Sequence, residues 1–124
     1  MGLWYARPMI HVGDVETSTA FYVDQMGFTV AWSFSDGGKT FVAQVNRDDT
    51  EIILCSQWPE KVGKGMLFIE MTAEDWKALP AALEEKGVGS RSGWWGYRTL
   101  IVADPDGNEL YFPDPEDPGG GPAA

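Results

Sequence analysis

At 124 residues, 44% hydrophobic and 13% aromatic, the chain is long enough for one domain with a core of its own. Its formal charge of −10, from 19 acidic against 9 basic side chains, argues against a nucleic-acid partner, which needs a basic footprint. No apolar run approaches the ~20 residues of a membrane-spanning helix, and no signal-peptide pattern opens the chain, so no membrane partner is expected. The lone cysteine, Cys55, rules out an internal disulfide and suits a cytoplasmic location, where it reads as a small buried hydrophobe.

In chain order, residues 7–12 read as a first strand. Asp14 is a good N-cap for a helix over 15–26, in which Val15, Thr19, Tyr22 and Met26 recur at helical spacing and Gly27 supplies the stop. Three strands follow at 28–34, 40–46 and 51–56, separated by Asp36-Gly37-Gly38 and by Arg47-Asp48-Asp49. Residues 57–64 are polar and read as a linker. The same order then repeats: a strand at 65–71, a helix opened by Thr72 with Asp75 three residues on, then strands at 88–92, 97–103 and 109–112. Trp76, Leu79 and Leu83 form the buried stripe of the second helix, Gly87 ends it, and Pro80 should kink it.

The expected fold class is therefore α+β, with two βαβββ modules at 6–56 and 65–113 in a single domain spanning 1–113. Their curved mixed sheets would enclose a groove, and pairing of modules suggests a homodimer. Residues 114–124, rich in Pro, Gly and Ala, are expected to be mobile.

The densest aromatic stretch is Trp94-Trp95-Gly96-Tyr97-Arg98, ahead of the turn Asp104-Pro105-Asp106-Gly107-Asn108. Strand alternation puts Trp95 and Tyr97 on one side and Trp94 and Arg98 on the other. Flat rings beside a guanidinium suit a planar or cationic ligand held by stacking; filling a core is the plain alternative. Negative charge would draw a cationic small molecule, although acidity also serves solubility.

Residues 11–22, His-Val-Gly-Asp-Val-Glu-Thr-Ser-Thr-Ala-Phe-Tyr, then Gly27-Phe28, then Asp104-Pro105-Asp106-Gly107-Asn108, resemble the glyoxalase / bleomycin resistance / extradiol dioxygenase superfamily, the vicinal oxygen chelate proteins. The resemblance spans about residues 8–112. Within it, Trp95-Gly96-Tyr97-Arg98 resembles the bleomycin resistance branch, whose members are usually homodimers that bind drug between subunits without transforming it. That resemblance implies that Trp95, and more loosely Phe41, flank flat heteroaromatic parts of a ligand.

The resemblance also implies where a metal would sit in the enzyme branch: seven residues before the capping Asp, at the start of the fifth strand, and seven residues after the first Asp of the Asp-Pro-Asp-Gly turn. Those positions hold Arg7, Met66 and Tyr111. A guanidinium has no lone pair to give, a thioether is too soft for hard divalent ions, and a neutral phenol is a poor ligand. His11, Glu70 and Glu109 share faces with these positions, but His11 and Glu70 fall four residues further along, about 13 Å away. No metal and no cofactor are therefore expected, nor catalytic residues.

The reading is a non-catalytic, metal-independent protein that sequesters a small, cationic, aromatic-containing molecule such as a bleomycin-type antibiotic. Trp95 and Phe41 would stack, Trp32, Phe68 and Tyr111 would line the groove, and Arg98 would meet a ligand carboxylate or brace one of the protein's own. Two alternatives stay open: an enzyme of the same fold with a non-standard metal site, and a metabolite-binding module.

Overall fold

The computed structural model describes residues 2–94, 96 and 98–117. The elements run β1 (Met9–His11), α1 (Val15–Ala20), β2 (Thr29–Asp36), β3 (Lys39–Arg47), β4 (Thr50–Cys55), β5 (Met66–Phe68), α2 (Ala73–Glu85), β6 (Arg91–Trp94), β7 (Arg98–Ala103) and β8 (Glu109–Pro113). They build two four-stranded mixed sheets, ordered β1-β4-β3-β2 and β5-β8-β7-β6. In each, the first strand pairs in parallel with the last and the remaining pairs are antiparallel. The sheets are curled and unclosed, and the same βαβββ order occurs twice.

Local chemistry explains most boundaries. Asp14 has extended backbone, and its carboxylate accepts from Thr17 N at 2.9 Å and Thr17 Oγ1 at 2.5 Å. The Thr17 hydroxyl, then the Thr17 amide, hold its pKa below the ordinary value. The helix does not stay regular to residue 26. It widens into a π turn at Phe21–Gln25, closed by Met26 N donating to Phe21 O at 3.2 Å, and both Phe21 and Tyr22 are buried there.

At the end of α2, Gly87 takes φ +72. Gly87 N donates to Glu84 O at 3.0 Å and Val88 N to Leu83 O at 2.9 Å, the pattern of a Schellman cap. Val88 is thus spent on the cap, which is why β6 begins at Arg91 and not at 88. The helix itself runs through Pro80 without a break. Pro80 is exposed and lacks the N–H that would reach Trp76 O. Pro80→Ala should stabilise the fold by about 2 kcal/mol, the ~3 kcal/mol helix cost less the ~1 kcal/mol entropy advantage of proline. An unchanged or lower urea midpoint would contradict this.

One core serves both modules. Val12, Val15, Tyr22, Val45, Ile52 and Leu54 cluster with Leu79, Leu83, Val102, Leu110 and Phe112. The helix-side faces of both sheets therefore share one apolar interior, and their opposite faces look outward. At the joint, Ile10 lies so close to Gly65 that a Cβ there would meet it at 3.0 Å.

The Asp-Pro-Asp-Gly-Asn turn locks this joint. Buried Asp104 accepts from Asp106 N, Asn108 N, Asn108 Nδ2 and the Tyr22 hydroxyl, at 2.9 to 3.1 Å. Asn108 in turn donates to His11 O at 3.1 Å and accepts from Gly65 N at 2.8 Å, so one side chain ties β1 to the approach of β5. Burial, reinforced by the Asp104 carboxylate, pushes the Tyr22 phenol far above its usual pKa. A raised folded-state pKa means the contribution is complete below the unfolded value of ~10 and lost as pH rises beyond it. Tyr22→Phe should accordingly flatten the loss of stability between pH 9 and 11 seen in the parent protein; identical slopes would refute the assignment.

Candidate functional site

Two outward sheet faces carry the candidate residues. On the first sheet, β3 alternates: Ala43 and Val45 point to the core, while Val42, Gln44 and Asn46 share the outer face with Ile53, Glu51 and Trp32. Gln44 is the hub. Its Oε1 accepts from Arg7 Nη1 at 2.6 Å and from Trp32 Nε1 at 3.0 Å, and its Nε2 donates to Asn46 Oδ1 at 2.9 Å and Glu51 Oε1 at 3.1 Å. The Tyr5 hydroxyl also bonds Glu51, and the Arg7 guanidinium lies 5.8 Å from the Tyr5 ring centre. Trp32 is thereby pinned by its indole N–H, with the Phe34 ring tilted beside it at 5.8 Å.

On the second sheet, register puts Met66 beside Glu109 and Phe68 beside Tyr111, with Ile101 next in line. Phe68 and Tyr111 stack at 5.3 Å with their planes 13° apart. Phe68 is 42% exposed and Met66 52%, whereas Tyr111 is buried. The Tyr111 hydroxyl donates to Glu109 Oε1 at 2.9 Å, and Arg91 pairs with the other Glu109 oxygen. The bond to Glu109 comes first among the causes that raise the Tyr111 pKa, with desolvation next and Arg91 opposing.

The other candidates fall elsewhere. Phe41 sits at a register irregularity of the β2–β3 pair, its carbonyl accepting from Ser56 N, in a shallow hollow with Asp36, Lys39 and Gln57. Arg98 braces carboxylates of the protein: Asp114 at 3.1 Å and Asp117 at 3.7 Å. These contacts hold residues 114–117 of the anticipated mobile tail against β7, and 118–124 lie outside the described residues. Trp94 pairs with Arg98 across a turn in which Gly96 has φ +77, so Trp94 is part of β6 and not of the strand leading to Ala103. Trp95 and Tyr97 lie outside the described residues.

Arg7, Met66 and Tyr111 do not fit a divalent-ion site. The guanidinium is committed to Gln44, the phenol keeps its proton for Glu109, and the thioether is too soft a donor for hard divalent ions. His11, Glu70 and Glu109 have separate surroundings. His11 packs edge-on against Trp58 at 5.6 Å, Glu109 is paired with Arg91, and Glu70 lines a cleft on the helix side. Among the described residues no three of His, Cys, Asp and Glu converge.

Sequence reasoning missed Gln44 and the Arg91–Glu109–Tyr111 chain. The one signal for Gln44 was an amide set between Ala43 and Val45 in a strand pattern.

The family model described as Glyoxalase/Bleomycin resistance protein/Dioxygenase superfamily matches residues 4–112. No curated protein matches the chain in sequence. Among solved structures, TnmS3, an antibiotic binding protein from Streptomyces sp. CB03234, is 26% identical with a TM-score of 0.71, over 91% of this chain and 97% of its own. The bleomycin-binding protein from bleomycin-producing Streptomyces verticillus, solved with copper(II)-bleomycin, is 25% identical with a TM-score of 0.66, over 94% and 99%. A glyoxalase/bleomycin resistance protein from Catenulispora acidiphila, at 21% identity and a TM-score of 0.70 over 87% and 95%, shares the fold.

Proposed function

The chain belongs to the glyoxalase/bleomycin resistance protein/dioxygenase superfamily, and from that membership we propose that it binds and sequesters, unchanged, a small cationic ligand with aromatic parts, of the bleomycin-type antibiotic class. The observation that carries this reading is the Phe68–Tyr111 stack on an open sheet face, with a thioether and a protonated phenol where an enzyme of this superfamily would need metal ligands. A preformed ring pair offers a flat apolar surface for another planar group at little ordering cost. The two relatives whose names record antibiotic or bleomycin binding, at 26% and 25% identity, support the same class of ligand.

A homodimer completes the site. Phe34 (63% exposed), Met66 and Phe68 crowd the outward sheet faces, more apolar surface than a monomer leaves bare without a use. Setting the first-sheet face of one copy against the second-sheet face of another makes a groove between Trp32 and Phe68. Trp95 keeps its stacking role on sequence grounds, as Phe41 does with a looser claim. The net charge of −10 speeds capture of a cation, and the protein works in the cytoplasm without metal or cofactor.

Phe68→Ala and Trp95→Ala should each weaken binding of bleomycin by more than ~1 kcal/mol, about fivefold or more in Kd, with folding intact by circular dichroism. Unchanged dissociation constants for both variants would remove this site from consideration.

A further inference from the structure

A second concavity lies on the helix side of the sheets. It is a cleft of about 560 Å3 between the β3–β4 turn and the start of α2. Its floor is apolar: Met26, Phe28, Leu79 and Phe112 are buried, and Ile69 and Met71 partly so. Its rim carries Asp48, Asp49, Glu70 and Asp75. Arg47 is the basic side chain of the lining, and its Nη1 is spent on Met26 O at 2.6 Å. Among the described residues no ion pair joins any of the four rim carboxylates to a lysine or arginine.

We propose that this cleft binds a small organic cation with an apolar body, through a site separate from the sheet face. The chemistry is complementary on both counts. Four carboxylates against the single Arg47 guanidinium leave the opening net negative, which concentrates a cation there. The floor supplies the apolar surface that such a cation's body needs, while among the described residues no three of His, Cys, Asp and Glu converge to hold an inorganic cation. An anion of the same shape meets the same floor and the opposite field, so charge decides the selectivity.

The proposal does not rest on the antibiotic-binding reading, and its probe is chosen accordingly. Tetraphenylphosphonium is cationic but not flat, so it is unsuited to stacking on a ring face; tetraphenylborate is its anionic match in size. Titration with NMR detection should show saturable 1:1 binding of the cation, with amide shifts at Thr50, Ile69, Met71 and Leu79. Tetraphenylborate should bind at least about tenfold more weakly, and Glu70→Gln/Asp75→Asn should cost the cation at least about fivefold. Glu60→Gln/Glu84→Gln, the same charge change away from the cleft, should stay within about twofold. Equal affinity for the two ions, no effect of the rim variant, or shifts centred on Phe68 would overturn the proposal. Cation binding that appears only after residues 2–6 are removed would overturn it too, since the cleft would then belong to the exposed Leu3–Tyr5 arm of another copy.

Discussion

Asn108→Ala is expected to lower the free energy of unfolding by about 3–5 kcal/mol, the largest loss from any single side chain in the joint. The amide is fully buried and uses both ends: Nδ2 reaches His11 O and Asp104 Oδ2, and Oδ1 receives Gly65 N. Truncation leaves the Gly65 N–H without its acceptor and removes one of the donors that stabilise buried Asp104. Each buried polar group so stranded costs about 1–3 kcal/mol. Gly63 N also approaches His11 O, at 3.3 Å, so that carbonyl is not orphaned. Asn108→Asp should be no milder, because it sets a second carboxylate against Asp104 and removes the donors. Urea unfolding measures both, and a loss under ~1 kcal/mol for Asn108→Ala would show that the modules are held by apolar packing alone.

Gln44→Leu should combine a stability loss of about 2–3 kcal/mol with a roughly tenfold weaker ligand affinity. Gln44 is buried and its bonds run across the outer face of the first sheet, from Arg7 to Asn46 and from Trp32 to Glu51. A leucine, shorter but of similar bulk, fills most of the space but leaves the Arg7 guanidinium and the Trp32 indole N–H seeking water. The indole then loses the bond that sets its plane, and part of the binding energy goes into reordering it. Gln44→Met distinguishes packing from bonding: it fills the space more flexibly and should fail in the same way. Full affinity with either variant would mean that Trp32 takes no part in binding.

Much of the fold was legible because the repeats are written in local chemistry. Asp14 before Val15, Thr72 before Ala73, and the Gly-rich turns announce element ends that need no knowledge of the rest of the chain. Where tertiary demands override local ones, the pattern misled. A regular helix to residue 26 would not seat both Phe21 and Tyr22 as the π turn does, and Val88 looks like strand until the Schellman cap claims its N–H. Asp-Pro-Asp-Gly-Asn read as a hairpin turn, and it is one. That Asn108 also spans the two modules depends on contacts 97 and 43 residues away in sequence, which no window reveals.

The site was legible in kind more than in detail. Phe68 and Tyr111 share a face because parallel pairing of β5 with β8 sets them side by side, a register that period-two counting alone does not supply. The sequence left Arg98 two roles, meeting a ligand carboxylate or bracing one of the protein's own, and in the structure it pairs with Asp114 and Asp117.

The most direct test of the central claim follows the fluorescence of the six tryptophans as purified protein is titrated with metal-free bleomycin, then recovers the ligand for mass spectrometry. The account predicts a saturable change in emission, its loss of affinity in Phe68→Ala, and a ligand of unaltered mass. A chemically modified ligand, or no saturable signal with bleomycin and related heteroaromatic antibiotics, would contradict it.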